Sequence, residues 1–228
     1  MRVGMYLLAG FLLVNCQTAF SQSLVVGGQT NVAIDFDTLS SAAGLDLSSV
    51  SPEVISPGSI PDSVAFPINA RDGSLPTTFE YDATTFPAGG SFMGTIEHSG
   101  SVLFNTDTIE IGDFTIGFDA GRTGTLGGLA SGFFVANNVS GVVPAPVALF
   151  DIEVTGANPQ VTSLTVDGNL LVSPELGTFL VDNALASTNL QGTPVGVARV
   201  EAVAVPEPTA ALLLGVGVLG GFAIRRTR

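Results

Sequence analysis

Apolar and polar residues alternate in short runs along most of this chain, and this period of two constrains the fold more than any other feature. Every second residue is Phe or Ile between positions 114 and 118, and the apolar residues alternate with acids between positions 150 and 154. Such alternation turns one face of a strand toward a core and the other toward water. The 28 Gly and 13 Pro interrupt the chain too often for long helices. The sequence therefore predicts an all-β fold, a β-sandwich or jelly-roll-like single domain.

Local signals place the turns and the few elements that are not strands. The tripeptide Asp167-Gly168-Asn169 separates two apolar runs and predicts a tight hairpin, because Asp-Gly supplies the positive φ angles of such turns. Residues 174–177 (Pro-Glu-Leu-Gly) predict a turn, and residues 39–50 predict one short helix. The five Pro between positions 51 and 76 indicate a loop or an edge segment. Residues 195–205 predict the last strand.

The N-terminus has the three parts of a secretory signal peptide. A positive start is followed by an apolar run from residue 3 to residue 14, and Ala19 and Ser21 place small residues at the −3 and −1 positions of a cleavage site. The apolar run is short for a transmembrane helix. We expect residues 1–21 to form a signal helix that is read by the secretion translocon, and Gln22 to begin the mature chain.

Cysteine content and charge limit the chemistry of the exported part. Cys16 is the only Cys and lies in the leader, so the mature domain has no disulfide and no thiolate. A lipoprotein leader ending at Cys16 is the alternative, although Asn15 is larger than the residue expected there. The net charge is −13, and Arg71, Arg122 and Arg199 are the only cations between residues 22 and 204. A surface so poor in cations does not bind nucleic acid.

The C-terminus contains three consecutive segments with different physical properties. Val205-Pro206-Glu207-Pro208 should be extended, because each Pro fixes its own φ and restricts the residue before it. The apolar run 209–224 would span about 24 Å as a helix, which is short against a hydrocarbon core of about 30 Å. Arg225, Arg226 and Arg228 favour retention of the C-terminus on the cytoplasmic side. The apolar run 209–224 is therefore better suited to transient insertion in the membrane, as a site for a processing enzyme, than to permanent anchoring.

In the order and spacing of these three parts, residues 205–228 resemble the PEP-CTERM sorting signal of certain bacteria. The resemblance implies recognition by exosortase, a membrane-embedded processing enzyme, with Pro206, Glu207 and Pro208 as the signature. It also implies transit through the inner membrane and delivery to the cell surface or extracellular matrix. An ordinary C-terminal membrane anchor is the alternative, but a plain anchor does not require Pro-Glu-Pro. The resemblance does not extend to residues 22–204.

Candidate metal and catalytic residues are few. His98 is the only His, so a catalytic triad or a zinc site has little to draw on. Asp35 and Asp37 would share one face of a strand and are the candidates for a structural calcium ion. We expect no other cofactor.

Two further functions can be set beside a sorted surface protein. A pair of carboxylates could hydrolyse a glycoside, with candidates at Glu80, Asp82, Glu97, Glu110 and Glu153. A β-sandwich that binds extracellular polysaccharide would need exposed aromatic residues around Tyr81, the only Tyr after the leader. The sequence favours a substrate of a processing enzyme over an enzyme, and leaves carbohydrate binding as the alternative.

Overall fold

The computed structural model describes residues 22–207, in which every paired strand is antiparallel. The predicted signal helix, the apolar segment 209–224 and the Arg cluster lie outside these residues. The helices are α1 (Phe36–Ala43) and α2 (Pro174–Asp182), with 3₁₀ turns at Ala120–Arg122 and Leu126–Gly128. The strands are β1 (Gln22–Ile34), β2 (Leu47–Val50), β3 (Val64–Pro67), β4 (Glu80–Asp82), β5 (Phe92–Met93), β6 (Ile96–Glu97), β7 (Ser101–Phe104), β8 (Ile109–Gly112), β9 (Thr115–Phe118), β10 (Phe133–Asn137), β11 (Val147–Pro159), β12 (Ser163–Val172) and β13 (Pro194–Pro206).

A ten-stranded sheet holds most of these strands, in the order β5-β4-β1-β13-β12-β11-β10-β9-β6, with β3 also paired to β1. Strands β9 to β13 pair in chain order as a meander, and the last strand, β13, also pairs with the first strand, β1. A second sheet has three strands in the order β2-β7-β8. The all-β prediction is confirmed. However, β9 to β13 each pair with the next strand in the chain, whereas the strands of a jelly roll are connected as two Greek keys.

Both sheets contribute to one apolar core. Side chains of the small sheet, such as Val102 and Phe104, belong to the same buried cluster as Val200 and Ala202 of β13. Along β13 the even-numbered residues from 198 to 204 face this core, while the odd-numbered residues face outward. This is the period of two that the sequence shows. Neither helix in residues 22–207 is long and apolar enough to cross a membrane.

The hairpin predicted at Asp167-Gly168-Asn169 is wrong. Strand β12 runs through these residues without a turn, and none of the three has a positive φ. Pairing on both sides overrides the local turn preference, because β12 lies between β11 and β13 over its length. Instead, the lack of a side chain at Gly168 leaves room for Ile152, since a Cβ at position 168 would lie 2.7 Å from Cγ2 of Ile152.

The turn predicted at residues 174–177 is also wrong, because helix α2 begins there. The Ser173 side chain accepts a hydrogen bond from the Leu176 N–H at 3.0 Å, and Pro174 occupies the first helical turn. Both residue types are favoured at those positions. The predicted helix over residues 39–50 is confirmed only in part: α1 begins earlier, and Gly44 ends it in the left-handed conformation.

Candidate functional site

The C-terminal strand places the first residues of the sorting motif at the surface. Val205 and Pro206 end β13, and the Val205 side chain is 43 % exposed. Pro206 and Glu207 are exposed as well. The backbone here is extended, which is the conformation that the two Pro residues favour. Pro208 lies outside the described residues.

Pro206 lies where the strand has lost one of its two neighbours. Strand β12 pairs with β13 as far as the match of Ser163 with Val203, and the Ala204 N–H donates to Thr162 O at 2.9 Å. Beyond that point only β1 pairs with β13. A Pro has no N–H to donate, so it is tolerated at such a single-sided position and not in the middle of a sheet.

The motif pairs with the predicted start of the mature chain. Val205 is matched with Leu24 and Pro206 with Ser23, and the Glu207 N–H donates to Gln22 O at 2.8 Å. Both ends of the described domain therefore lie side by side. Sequence patterns gave no signal for this, because the two segments are far apart along the chain.

His98 is buried and has both ring nitrogens satisfied. Its Nδ1 lies 2.9 Å from Phe114 O, and its Nε2 lies 2.7 Å from Thr30 Oγ1. A carbonyl oxygen only accepts, so Nδ1 carries the proton and Nε2 accepts from the Thr30 hydroxyl. Burial lowers the pKa of His98 to about 4. Among the described residues no Ser and acid complete a triad around this ring, and its role is structural.

We predict that His98 makes the protein less stable as the pH falls from 6.5 to 4. The unfolded chain binds a proton near pH 6.5, whereas the folded chain does so only near pH 4. Stability falls wherever the unfolded state holds more protons, here by at most ~3 kcal/mol over that range. Urea unfolding should show a shallower pH dependence for His98→Gln than for the unchanged protein. Parallel pH curves would show that the imidazole does not titrate differently in the two states.

Four of the five acids proposed for glycoside hydrolysis are held by hydrogen bonds to nearby residues. Glu97 is buried and accepts from the Thr115 hydroxyl, and Glu110 accepts from Ser101 Oγ at 2.6 Å. Glu153 accepts from Asn169 Nδ2 at 2.8 Å. Asp82 accepts from the N–H and hydroxyl of Thr84, which lower the pKa of this carboxyl. Each of these four acids is engaged by a neighbour in the sheet or turn that carries it, and Glu80 lies half-buried on β4.

Tyr81 is a core residue. Its side chain is fully buried, and its hydroxyl donates to Gln160 O at 2.6 Å. Burial raises the pKa of this hydroxyl. The ring contacts a cluster of aromatic side chains that runs from the core to the surface, where Phe118 is 39 % exposed; its other members are Phe79, Phe86, Phe92 and Phe133. Tyr81 itself is therefore not available as an exposed platform for a carbohydrate.

Asp35 and Asp37 begin helix α1, and the prediction that they share one face of a strand is wrong. Asp35 is the N-cap: it accepts from the Thr38 hydroxyl at 2.7 Å and from the Thr38 N–H at 2.9 Å. These hydrogen bonds lower the pKa of Asp35. Asp37 lies in the first helical turn. Within residues 22–207, His, Cys, Asp and Glu side chains nowhere gather in a group of three or more that could hold a metal.

A charged cluster that the sequence did not indicate joins three parts of the fold. Arg122 Nη1 lies 3.0 Å and 3.2 Å from the two carboxylate oxygens of Asp151 on β11, and Nη2 pairs with Glu175 at the start of α2. The guanidinium carbon lies 5.0 Å from the Phe134 ring centre. Asp151 is only 1 % exposed, and this burial raises its pKa, which the nearby guanidinium opposes.

Comparison with known proteins identifies the tail and the fold. Residues 204–227 match the family model of the PEP-CTERM protein-sorting motif, so the sequence-based prediction of this motif is confirmed. Among solved structures, the chain is similar to the crystal structure of the C-terminal domain of HtaA from Corynebacterium glutamicum. The TM-score is 0.50 at 11 % identity, covering 80 % of this chain and 99 % of that one, so the likeness concerns the fold alone. Curated protein sequences give no significant match.

Proposed function

We propose that this protein is exported and then processed through its C-terminal motif by an exosortase-type membrane enzyme, for display at the cell surface or in the extracellular matrix. The match of residues 204–227 to the sorting motif carries the proposal. The signal peptide predicted over residues 1–21 supplies the export step. In this proposal the all-β domain is the delivered cargo and the substrate of the enzyme, and it is not itself an enzyme.

The fold adds a constraint on the bond that is hydrolysed. Strand β13 pairs with β1 on one side and β12 on the other as far as Val203, and with β1 alone through Pro206. Hydrolysis within this strand would require the sheet to open first, because its backbone groups are already paired. We infer that the enzyme cuts C-terminal to Pro206, where the sheet ends.

The intact mass of the mature protein tests this proposal. Protein from the surface or extracellular fraction should begin at Gln22, should lack residues 225–228 and should end at Pro206 or at a later residue. In cells without the processing enzyme, the mass should include the complete tail and the protein should stay with the membrane.

The two parts of the proposal fail in different ways. An unchanged tail in both kinds of cell would overturn processing by such an enzyme. A mature C-terminus at Val205 or further upstream would leave processing intact but would overturn the inferred position of the bond. In that case β13 must leave the sheet before it is cut.

A further inference from the structure

An apolar cavity lies inside the domain, between the two sheets and the two helices. Its volume is about 140 Å³. Strands β1 and β10 to β13 of the large sheet form one wall and strands β2, β7 and β8 form another, and side chains of β3, β9, α1 and α2 also line the cavity. Close-packed protein cores contain few voids larger than a water molecule, so a space of this size is unusual for a core.

The chemistry of the wall is almost uniform. Among residues 22–207, Thr30 and His98 are the only lining residues with polar side chains; they bond to each other, and His98 also bonds to Phe114 O. No Arg, Asp or Glu of this described part of the chain lines the cavity. A water molecule inside would find neither free donors nor free acceptors, and apolar cavities of about 150 Å³ stay dry and admit molecules of benzene size.

On the side of β2, the cavity is separated from the protein surface by side chains that are themselves partly exposed. Leu47 lines it and is 42 % exposed. Phe36 of α1 and Val50 of β2 also line it and are partly exposed. A ligand therefore has a short, apolar route inward that requires movement of side chains near α1 and β2 rather than opening of the ten-stranded sheet.

We propose that this cavity is a binding site for small neutral apolar molecules of about six to eight carbon atoms, including the end of an alkyl chain. The volume sets the size, and the lack of charged or unpaired polar groups selects a neutral ligand. A carboxylate on the same alkyl chain is disfavoured, because none of the described residues that line the wall is a cation that could compensate for its desolvation. This site is independent of the sorting motif and of the proposed processing.

His98 provides a direct reporter, because it is the only His of the chain and lines the cavity. The purified mature protein is titrated with hexan-1-ol and with benzene while the NMR signals of the His98 ring are followed. Both probes should shift these signals in a saturable way. Hexanoate should bind at least roughly tenfold more weakly than hexan-1-ol, and glucose should cause no shift.

A matched pair of substitutions locates the site. Ala198 lines the cavity from β13, whereas Ala157 lies exposed on β11. Ala198→Leu therefore adds three carbon atoms inside the cavity, and Ala157→Leu adds the same atoms on the protein surface. Ala198→Leu should weaken hexan-1-ol binding by roughly tenfold or more by filling the space, and Ala157→Leu should leave it unchanged. If Ala198→Leu fails to fold, Val166→Leu is a smaller change in the same wall.

Two results would overturn the proposal. The first is an absence of saturable His98 shifts up to the solubility limits of hexan-1-ol and benzene. The second is equal binding by the unchanged protein and by a folded cavity-filling variant, which would place the probes elsewhere on the surface.

Discussion

Replacing Pro206, Glu207 and Pro208 together by Ala should abolish C-terminal processing and leave the full-length chain with the membrane. The motif match covers these residues, and the first two are exposed just where the sheet ends. Ala at both Pro positions frees the backbone from the extended conformation, so ordering the segment in an enzyme cleft becomes less favourable. Loss of Glu207 also removes the acid between them. We expect the processed form to disappear from the surface fraction in mass spectrometry.

A Pro at the other end of the same strand provides the control. Pro194 begins β13 and is exposed, but it lies outside the motif match. Pro194→Ala should therefore be processed like the unchanged protein. The same mature C-terminus in the triple variant and the unchanged protein would show that the enzyme does not read Pro-Glu-Pro here.

The second large effect is expected from Arg122→Met, which should lower the free energy of unfolding by about 3–5 kcal/mol. The Met side chain can still pack on Phe134, but Asp151 is left buried without its cation. An unpaired buried charge is strongly destabilising, whereas a loss of side-chain packing alone would be smaller. Chemical denaturation of the mature protein at pH 7 measures the change.

The pH dependence of this variant identifies the cause. Burial already raises the pKa of Asp151, and removal of the guanidinium should raise it further. A carboxyl whose pKa is higher in the folded state than in the unfolded state loses stability as the pH rises. The deficit of Arg122→Met relative to the unchanged protein should therefore be larger at pH 8 than at pH 5.

Two companion variants separate charge from packing. Arg199 pairs with Asp167 on the surface, where both side chains are about 40 % exposed, so Arg199→Met should change stability much less. Adding Asp151→Asn to Arg122→Met should recover part of the loss, because the buried charge is gone. Equal losses in Arg122→Met and Arg199→Met would contradict a special role for the buried pair.

The sorting motif could be predicted from the sequence because its information is local. Val205, Pro206 and Glu207 act through their own residue types and their distance from the apolar run. Their pairing with the first strand could not be predicted in the same way. The partners of Val205 and Pro206 are Leu24 and Ser23, and only the arrangement of the whole sheet brings them together.

Local signals failed where distant parts of the chain decide the outcome. Asp167-Gly168-Asn169 carries a hairpin signal, yet it lies in mid-strand because β11 and β13 pair with it from both sides. The beginning of α2 is a different case: Ser173 and Pro174 are sound start signals for a helix, but Pro174 and Gly177 are also typical turn residues, and the local sequence does not decide between the two.

By itself, the sequence determined the all-β class, the absence of Cys from residues 22–228 and the presence of the sorting motif. Each of these follows from residue types and from short-range patterns in the sequence, which do not depend on contacts between distant parts of the chain. Only the tertiary structure decided that Arg122 pairs with Asp151, that Tyr81 is buried and that His98 and Thr30 meet at the wall of a cavity. The contacts Arg122–Asp151, Tyr81–Gln160 and Thr30–His98 join residues that are 29, 79 and 68 positions apart in the sequence. They form because strand pairing brings distant segments together.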